Sequence, residues 1–118
     1  MKIYLAGPMR GLPEFNFPAF FAAAGVLRAL GHEVFSPAER DQAKHGDGIW
    51  KGMSGDLGEA AQKGFSLRDA LGADTAWICA NAEVIAMLPG WKKSKGARAE
   101  KALGEALGLK VLYLGKGD

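Results

Sequence analysis

Two hydrophobic patterns alternate along this chain. Short runs of consecutive apolar residues occur at Ile3-Tyr4-Leu5-Ala6, at Val34-Phe35, over residues 84–88 and over residues 111–114. Their length and β-branched content read as strands, the third one buried on both faces. Between them, apolar residues recur three and four positions apart, which is the spacing of a helix with one buried stripe. Asn16 is the N-cap of the first such helix, Pro18 lies in its first turn, and it runs to about Leu30. Phe20, Ala23, Ala24, Leu27 and Leu30 form its stripe, and Gly31 is its stop. Ser66 caps a second helix, with Asp69 in the capping-box place, that continues through Leu67, Ala70, Leu71, Trp77 and Ile78 to about Ala80. A third helix covers 97–107, with Ala99, Leu103, Ala106 and Leu107 at helical spacing and Gly108 at its end. Four strands alternating with three helical segments predict an open, doubly wound α/β sheet, with parallel pairing and right-handed crossovers.

Residues 38–64 break this rhythm. Pro37 closes the second strand, and Gly46, Gly48, Gly52, Gly55, Gly58 and Gly64 then interrupt every period. A loop this long in a small domain is a functional lid or a mobile segment, and the Gly-rich part, 46–64, is the expected lid. Ile49, Trp50 and Met53 are unusually apolar for it. Trp50 either pins the loop to the core or covers a planar ligand.

Composition narrows the function classes. The chain has 118 residues, enough for a single domain over 1–118, with 48% hydrophobic and 24% charged residues. A net charge of +2 does not imply a nucleic-acid polymer as partner, but leaves small anionic ligands open. The single Cys79 excludes an internal disulfide and fits a reducing, cytoplasmic setting. No apolar run spans a bilayer and no signal peptide is evident, so no membrane partner is expected. His32 and His45 are too far apart in sequence to suggest a metal site, and no cofactor is called for.

Residues 88–100, LPGWKKSKGARAE, carry the candidate chemistry. A buried strand, Pro89-Gly90, a short basic loop and a helix start make an anion site, because N–H groups at a helix N-terminus are unpaired and the dipole there is positive. Lys92, Lys93, Lys95 and Arg98 either add to this field or form a solvated basic loop. Glu100 sits about one turn inside the positive end, where a carboxylate is expected to stay ionised. In open α/β sheets ligands bind beyond the carboxyl ends of the strands, at a switch in strand order. The loops GPMRG after strand one and PGWKKSKGA after strand three are expected to meet there.

With these motifs assembled, the chain resembles the nucleoside 2-deoxyribosyltransferase-like superfamily, and within it the small bacterial and phage DUF4406 group. The resemblance rests on YLAGPMRGLPEFNFPAF at 4–20, GHEVFSPAE at 31–39, LGADTAWICANAEVIAMLPGW at 71–91 and SKGARAEKALGEALG at 94–108. It implies a flavodoxin-like domain, an open parallel sheet of four to five strands with helices on both faces, and a homo-oligomer. It implies N-glycosidic chemistry on a nucleoside or nucleotide. Glu100 occupies the place of the nucleophile, and Asp74 that of the carboxylate that contacts the sugar and positions it. Ser94 and Gly96 fall where the branch acting on deoxynucleoside 5′-monophosphates holds phosphate. Gly7, Arg10 and Gly11 in the first loop, with Trp50, Pro89 and Gly90, complete the expected substrate contacts. The chain departs from the pattern at three positions. Pro8 replaces a Ser, Phe17 stands where many relatives have Tyr, and Glu83 replaces an Asp near the start of strand three, which reads as structural.

The chemistry is reasonable in itself. Breaking an N-glycosidic bond develops positive charge on the sugar, which a carboxylate below the ring stabilises or traps. The expectation is hydrolysis of a (deoxy)nucleoside 5′-monophosphate through Glu100. Base exchange between deoxynucleosides and nucleotide binding without turnover are the alternatives.

Overall fold

The structure is a computed structural model that describes residues 1–46, 48–62 and 64–115. Asp47 and Lys63, inside the expected lid, and residues 116–118, at the end of the expected domain, lie outside the described residues.

Strands β1 (Lys2–Ala6), β2 (Glu33–Phe35), β3 (Val84–Met87) and β4 (Lys110–Tyr113) form one parallel sheet in the order β2-β1-β3-β4. This is the expected flavodoxin-like arrangement, with four strands. Tyr4 pairs with Phe35 on one side and with Ile85 on the other, so β1 is central. The chain leaves β1 for one neighbour and returns on the opposite side for β3, which places the switch in strand order between β1 and β3.

Both faces of the central strands are covered, which is why they read as unbroken apolar runs. Ile3, Leu5, Val84, Ala86 and Leu88 pack with Phe17, Phe20, Ala24 and Leu27 of helix α1 (Phe17–Ala29). The alternate residues Tyr4, Ala6, Ile85 and Met87 face Ile78 of α4 (Leu67–Asn81) and Ala97 of α5 (Lys95–Ala106). The glycine stops work as expected. Gly31 has φ +95°, its N–H donates to the Arg28 carbonyl, and the His32 N–H donates to the Leu27 carbonyl, which together satisfy the end of α1. Gly108 ends α5 through the same pair of bonds, to Glu105 and Gly104. Glu83 accepts the Lys2 backbone N–H at 2.8 Å, a structural link between the starts of β1 and β3.

Several expectations need correction. Leu30 is 69% exposed, because α1 ends before its side chain can reach the core. Asn16 precedes α1 but makes no capping bond; it has φ +61° and donates from Nδ2 to the Pro8 carbonyl at 3.0 Å. The expected loop 38–64 contains two helices, α2 (Pro37–His45) and α3 (Leu57–Gln62). Pro37 opens α2 rather than merely closing a strand, since a missing N–H costs nothing in a first turn. Polar residues surround α2 on nearly every side, so no apolar stripe announced it. Its buried positions are Pro37, Ala38 and Asp41.

Candidate active site

Among the described residues, the buried charged side chains are Asp41, Asp74 and Glu100, and each lies on a different helix. On α5 the buried residues are Ala97, Glu100 and Gly104, spaced three and four apart. This stripe, not the expected Ala99, Leu103, Ala106 and Leu107, faces the sheet; of those four only Leu103 is partly buried against it. Gly104 explains why. A Cβ there would lie 2.5 Å from Ile85 Cγ1, so glycine lets α5 approach β3 closely, and Glu100 one turn earlier is carried inward with it. On α4 the buried stripe is Ala70, Asp74 and Ile78, with the carboxylate again at its centre.

Tyr4 of β1 meets these helices from below. It is wholly buried, and its hydroxyl donates to Glu100 Oε2 at 2.6 Å. Loss of hydration pushes the Glu100 carboxyl up to about 8; the Tyr4 hydrogen bond pulls it down and the Asp74 charge raises it further. Burial likewise pushes Asp74 up to about 7, opposed by the Arg40 guanidinium, raised by Asp41 and lowered by a hydrogen bond with Tyr4. Burial and the two carboxylates together hold the Tyr4 phenol well above its ordinary value, so it stays a donor. The expectation that Glu100 is held ionised is therefore corrected. It lies beyond the water that would stabilise its charge, while Lys92, Lys93, Lys95 and Arg98 are exposed and screened.

Glu100 and Asp74 open into a cavity of about 840 Å³. Its floor is the predicted crevice, where the loops after β1 and β3 meet; a Cβ on Gly90 would lie 3.3 Å from Pro8. Gly7, Arg10, Trp50, Pro89, Gly90, Ser94 and Gly96 line it, as do Lys92, Lys93 and Lys95. Gly11 does not. It faces a smaller neighbouring recess, and its N–H donates to the Gly55 carbonyl at 2.8 Å, so its backbone joins two loops. Gly7 has a packing duty as well, since a Cβ there would come 2.7 Å from that of Leu88. Ser94 caps α5 by accepting the Ala97 N–H at 3.1 Å, and the residue lines the cavity. Trp91 is not part of the wall; it packs against Tyr113, with ring centroids 5.7 Å apart.

Trp50 both pins and lines. Its indole N–H donates to Gln42 at 2.6 Å, and its ring packs against Phe17 and Phe21 while bordering the cavity. The segment around it is stitched to the first loop. The Glu14 N–H donates to the Met53 carbonyl at 2.7 Å, and a Cβ on Gly55 would lie 2.4 Å from the Leu12 oxygen. That stitching supports a left-handed turn at Glu14, Phe15 and Asn16, with φ of 56°, 52° and 61°. Each such residue costs about 1–2 kcal/mol. Phe15 and Asn16 line the cavity, so the cost is met where the wall is shaped.

Sequence reading missed Tyr4, hidden in an apolar strand, and the pair Arg40–Asp41 on α2. No periodic signal could have found them, because Tyr4 sits inside an apolar run and the buried face of α2 is short and carries Asp41 itself. Among the described residues no group of three or more His, Cys, Asp or Glu is placed to hold a metal ion, and no helix is long and apolar enough to cross a membrane.

A family model described as "Domain of unknown function (DUF4406)" matches residues 1–113. No curated protein and no solved structure matches the chain.

Proposed function

The chain belongs to the DUF4406 family, and we propose that it hydrolyses the N-glycosidic bond of a (deoxy)nucleoside 5′-monophosphate with Glu100 as nucleophile. The observation that carries this reading is the buried Tyr4–Glu100 hydrogen bond beside Asp74, opening into a cavity that a helix N-terminus and three lysines also line. The phosphate lies on the N-terminus of α5, near Ser94 and Gly96, where unpaired N–H groups and cations hold an anion. Binding energy gathered there orients the sugar over Glu100.

Two buried carboxyls pushed up to about 7 and about 8 hold one proton between them near neutrality. Of the two one-proton arrangements the reaction runs through the less populated one, in which Glu100 is ionised and accepts the Tyr4 hydrogen bond while Asp74 carries the proton. A Glu100 oxygen forms a bond to the anomeric carbon as the bond to the base breaks. The departing electron pair goes to the base nitrogen, which takes the Asp74 proton. Water then attacks the same carbon, releases the sugar phosphate from Glu100 and returns a proton to Asp74. Atoms and charges balance without a further reagent.

The test is incubation with a panel of nucleosides and their 5′-monophosphates, following free base by chromatography. Release from monophosphates in water supports hydrolysis. Release only when a second base is added makes the protein a base-exchange enzyme, and binding without release makes it a nucleotide-binding module.

A further inference from the structure

The proposed chemistry uses two of the three buried carboxylates among the described residues. Asp41 is left over. It is 6% exposed, lies on the inward face of α2 and lines the same cavity, with His45 one helical turn further along that face. The Arg40 guanidinium holds Asp41 Oδ1 and places its Nε 3.5 Å from Asp74 Oδ1. Asp74 is also 6% exposed, and its Oδ1 has no hydrogen-bond partner. Arg40 thus bridges the carboxylate of the proposed reaction and the unused one.

The order of the sheet says which part of a ligand reaches Asp41. The cationic loop follows β3, α2 follows β2, and β1 with Tyr4 lies between them. A nucleotide with its phosphate on the loop and its sugar over Tyr4 and Glu100 directs its base toward α2. We infer that Asp41 is the specificity-determining residue for the base, and that it selects bases presenting two adjacent N–H donors, as guanine does. This rests on the nucleotide reading above.

The chemistry follows from donor and acceptor counts. An ionised carboxylate only accepts, through two oxygens in one plane. Guanine offers a ring N–H and an amino group side by side and can meet both. Adenine and cytosine offer an amino group beside a bare ring nitrogen. Thymine and uracil flank their one N–H with carbonyl oxygens, which repel the carboxylate. Trp50, Phe17 and Ile49 keep this part of the cavity apolar, so a mismatched polar edge is left unpaired away from water. Arg40 is a positioning residue that compensates the charge of Asp41.

Calorimetric titration of Glu100→Gln protein with the deoxynucleoside 5′-monophosphates of guanine, adenine, cytosine and thymine tests this without turnover. Guanine is expected to bind tightest and thymine weakest, at least about tenfold apart. In Glu100→Gln/Asp41→Asn that preference shrinks to about twofold, because the amide replaces one acceptor with a donor. Asp41→Glu keeps the order while weakening it, which guards against a misfolded Asn variant. Thymine binding as well as guanine to Glu100→Gln protein overturns the inference, and so does an Asp41→Asn effect equal for all four. A guanine preference without base release by the unmutated protein sinks hydrolysis and leaves the inference standing. Base release with no base preference sinks the inference alone, and no binding by any of the four sinks both.

Discussion

The two faces of the sheet share strands but differ in kind. Beneath α1, Ile3, Leu5, Phe20, Ala24 and Leu27 make a buried, wholly apolar layer. On the other face the alternate residues of the same strands meet α4 and α5, and there Tyr4, Asp74 and Glu100 interrupt the apolar packing. The first face gains hydration free energy at every contact. The second gives some of it up, since two carboxyls are held where their charged forms are poorly solvated. Stability alone would not favour such a layer, and most of the consequences below follow from that asymmetry.

The largest effect is expected at Glu100. Glu100→Gln keeps the shape and removes the proposed nucleophile, so base release should fall by several orders of magnitude. Its stability should change in the opposite sense. Glu100 has its pKa raised from 4.5 to about 8, so its contribution is fully present below about pH 4.5 and is lost as pH rises through about 8. The variant should therefore melt several degrees higher than the unmutated protein at pH 8.5 and at the same temperature at pH 4. On the opposite face Phe20→Ala should do the reverse, costing about 3–5 kcal/mol while leaving turnover per folded molecule intact. Base release and thermal midpoint measured on both variants decide the comparison. If Glu100→Gln turns over normally, the two faces do not divide in this way.

Tyr4→Phe comes next in size. It removes the bond that lowers the Glu100 pKa, so the acid limb of the pH–rate profile should move upward. Turnover at pH 7 should drop by about ten- to a hundredfold and recover partly at higher pH. An unshifted profile would mean that Tyr4 only fills space.

Ser94→Ala should be milder. Loss of the cap costs about 1 kcal/mol, read from denaturant melts. It should also raise KM for a monophosphate more than for its nucleoside. Equal effects on the two substrates would remove the phosphate from this end of the cavity.

The smallest effect is expected over residues 48–62, the described part of the segment that walls the cavity. Hydrogen exchange there should slow when nucleotide binds, because Trp50 and Met53 would then pack against ligand. Equal protection with and without nucleotide would make the segment plain packed structure.

The alternation of all-apolar runs with helical spacing determined the strands, α1, α4 and α5, and hence the parallel sheet. A strand covered on both sides has no other way to read. Gly31 and Gly108 marked helix ends because a left-handed backbone costs any other residue. The loop at 88–94 was legible for the same local reasons. What the tertiary structure alone decided was which charges are inside. Glu100 looks like a solvated helix residue until Gly104 lets α5 settle on Ile85, and its pKa then follows from lost water, not from the lysines beside it in sequence. Helix α2 stayed hidden because its buried face is short and carries Asp41, so no apolar period could reveal it. Periodicity records the side chains that water rejects, whereas a buried carboxyl is held by partners distant in sequence, and the meeting of Asp41, Asp74 and Glu100 around one cavity exists only once three helices have packed.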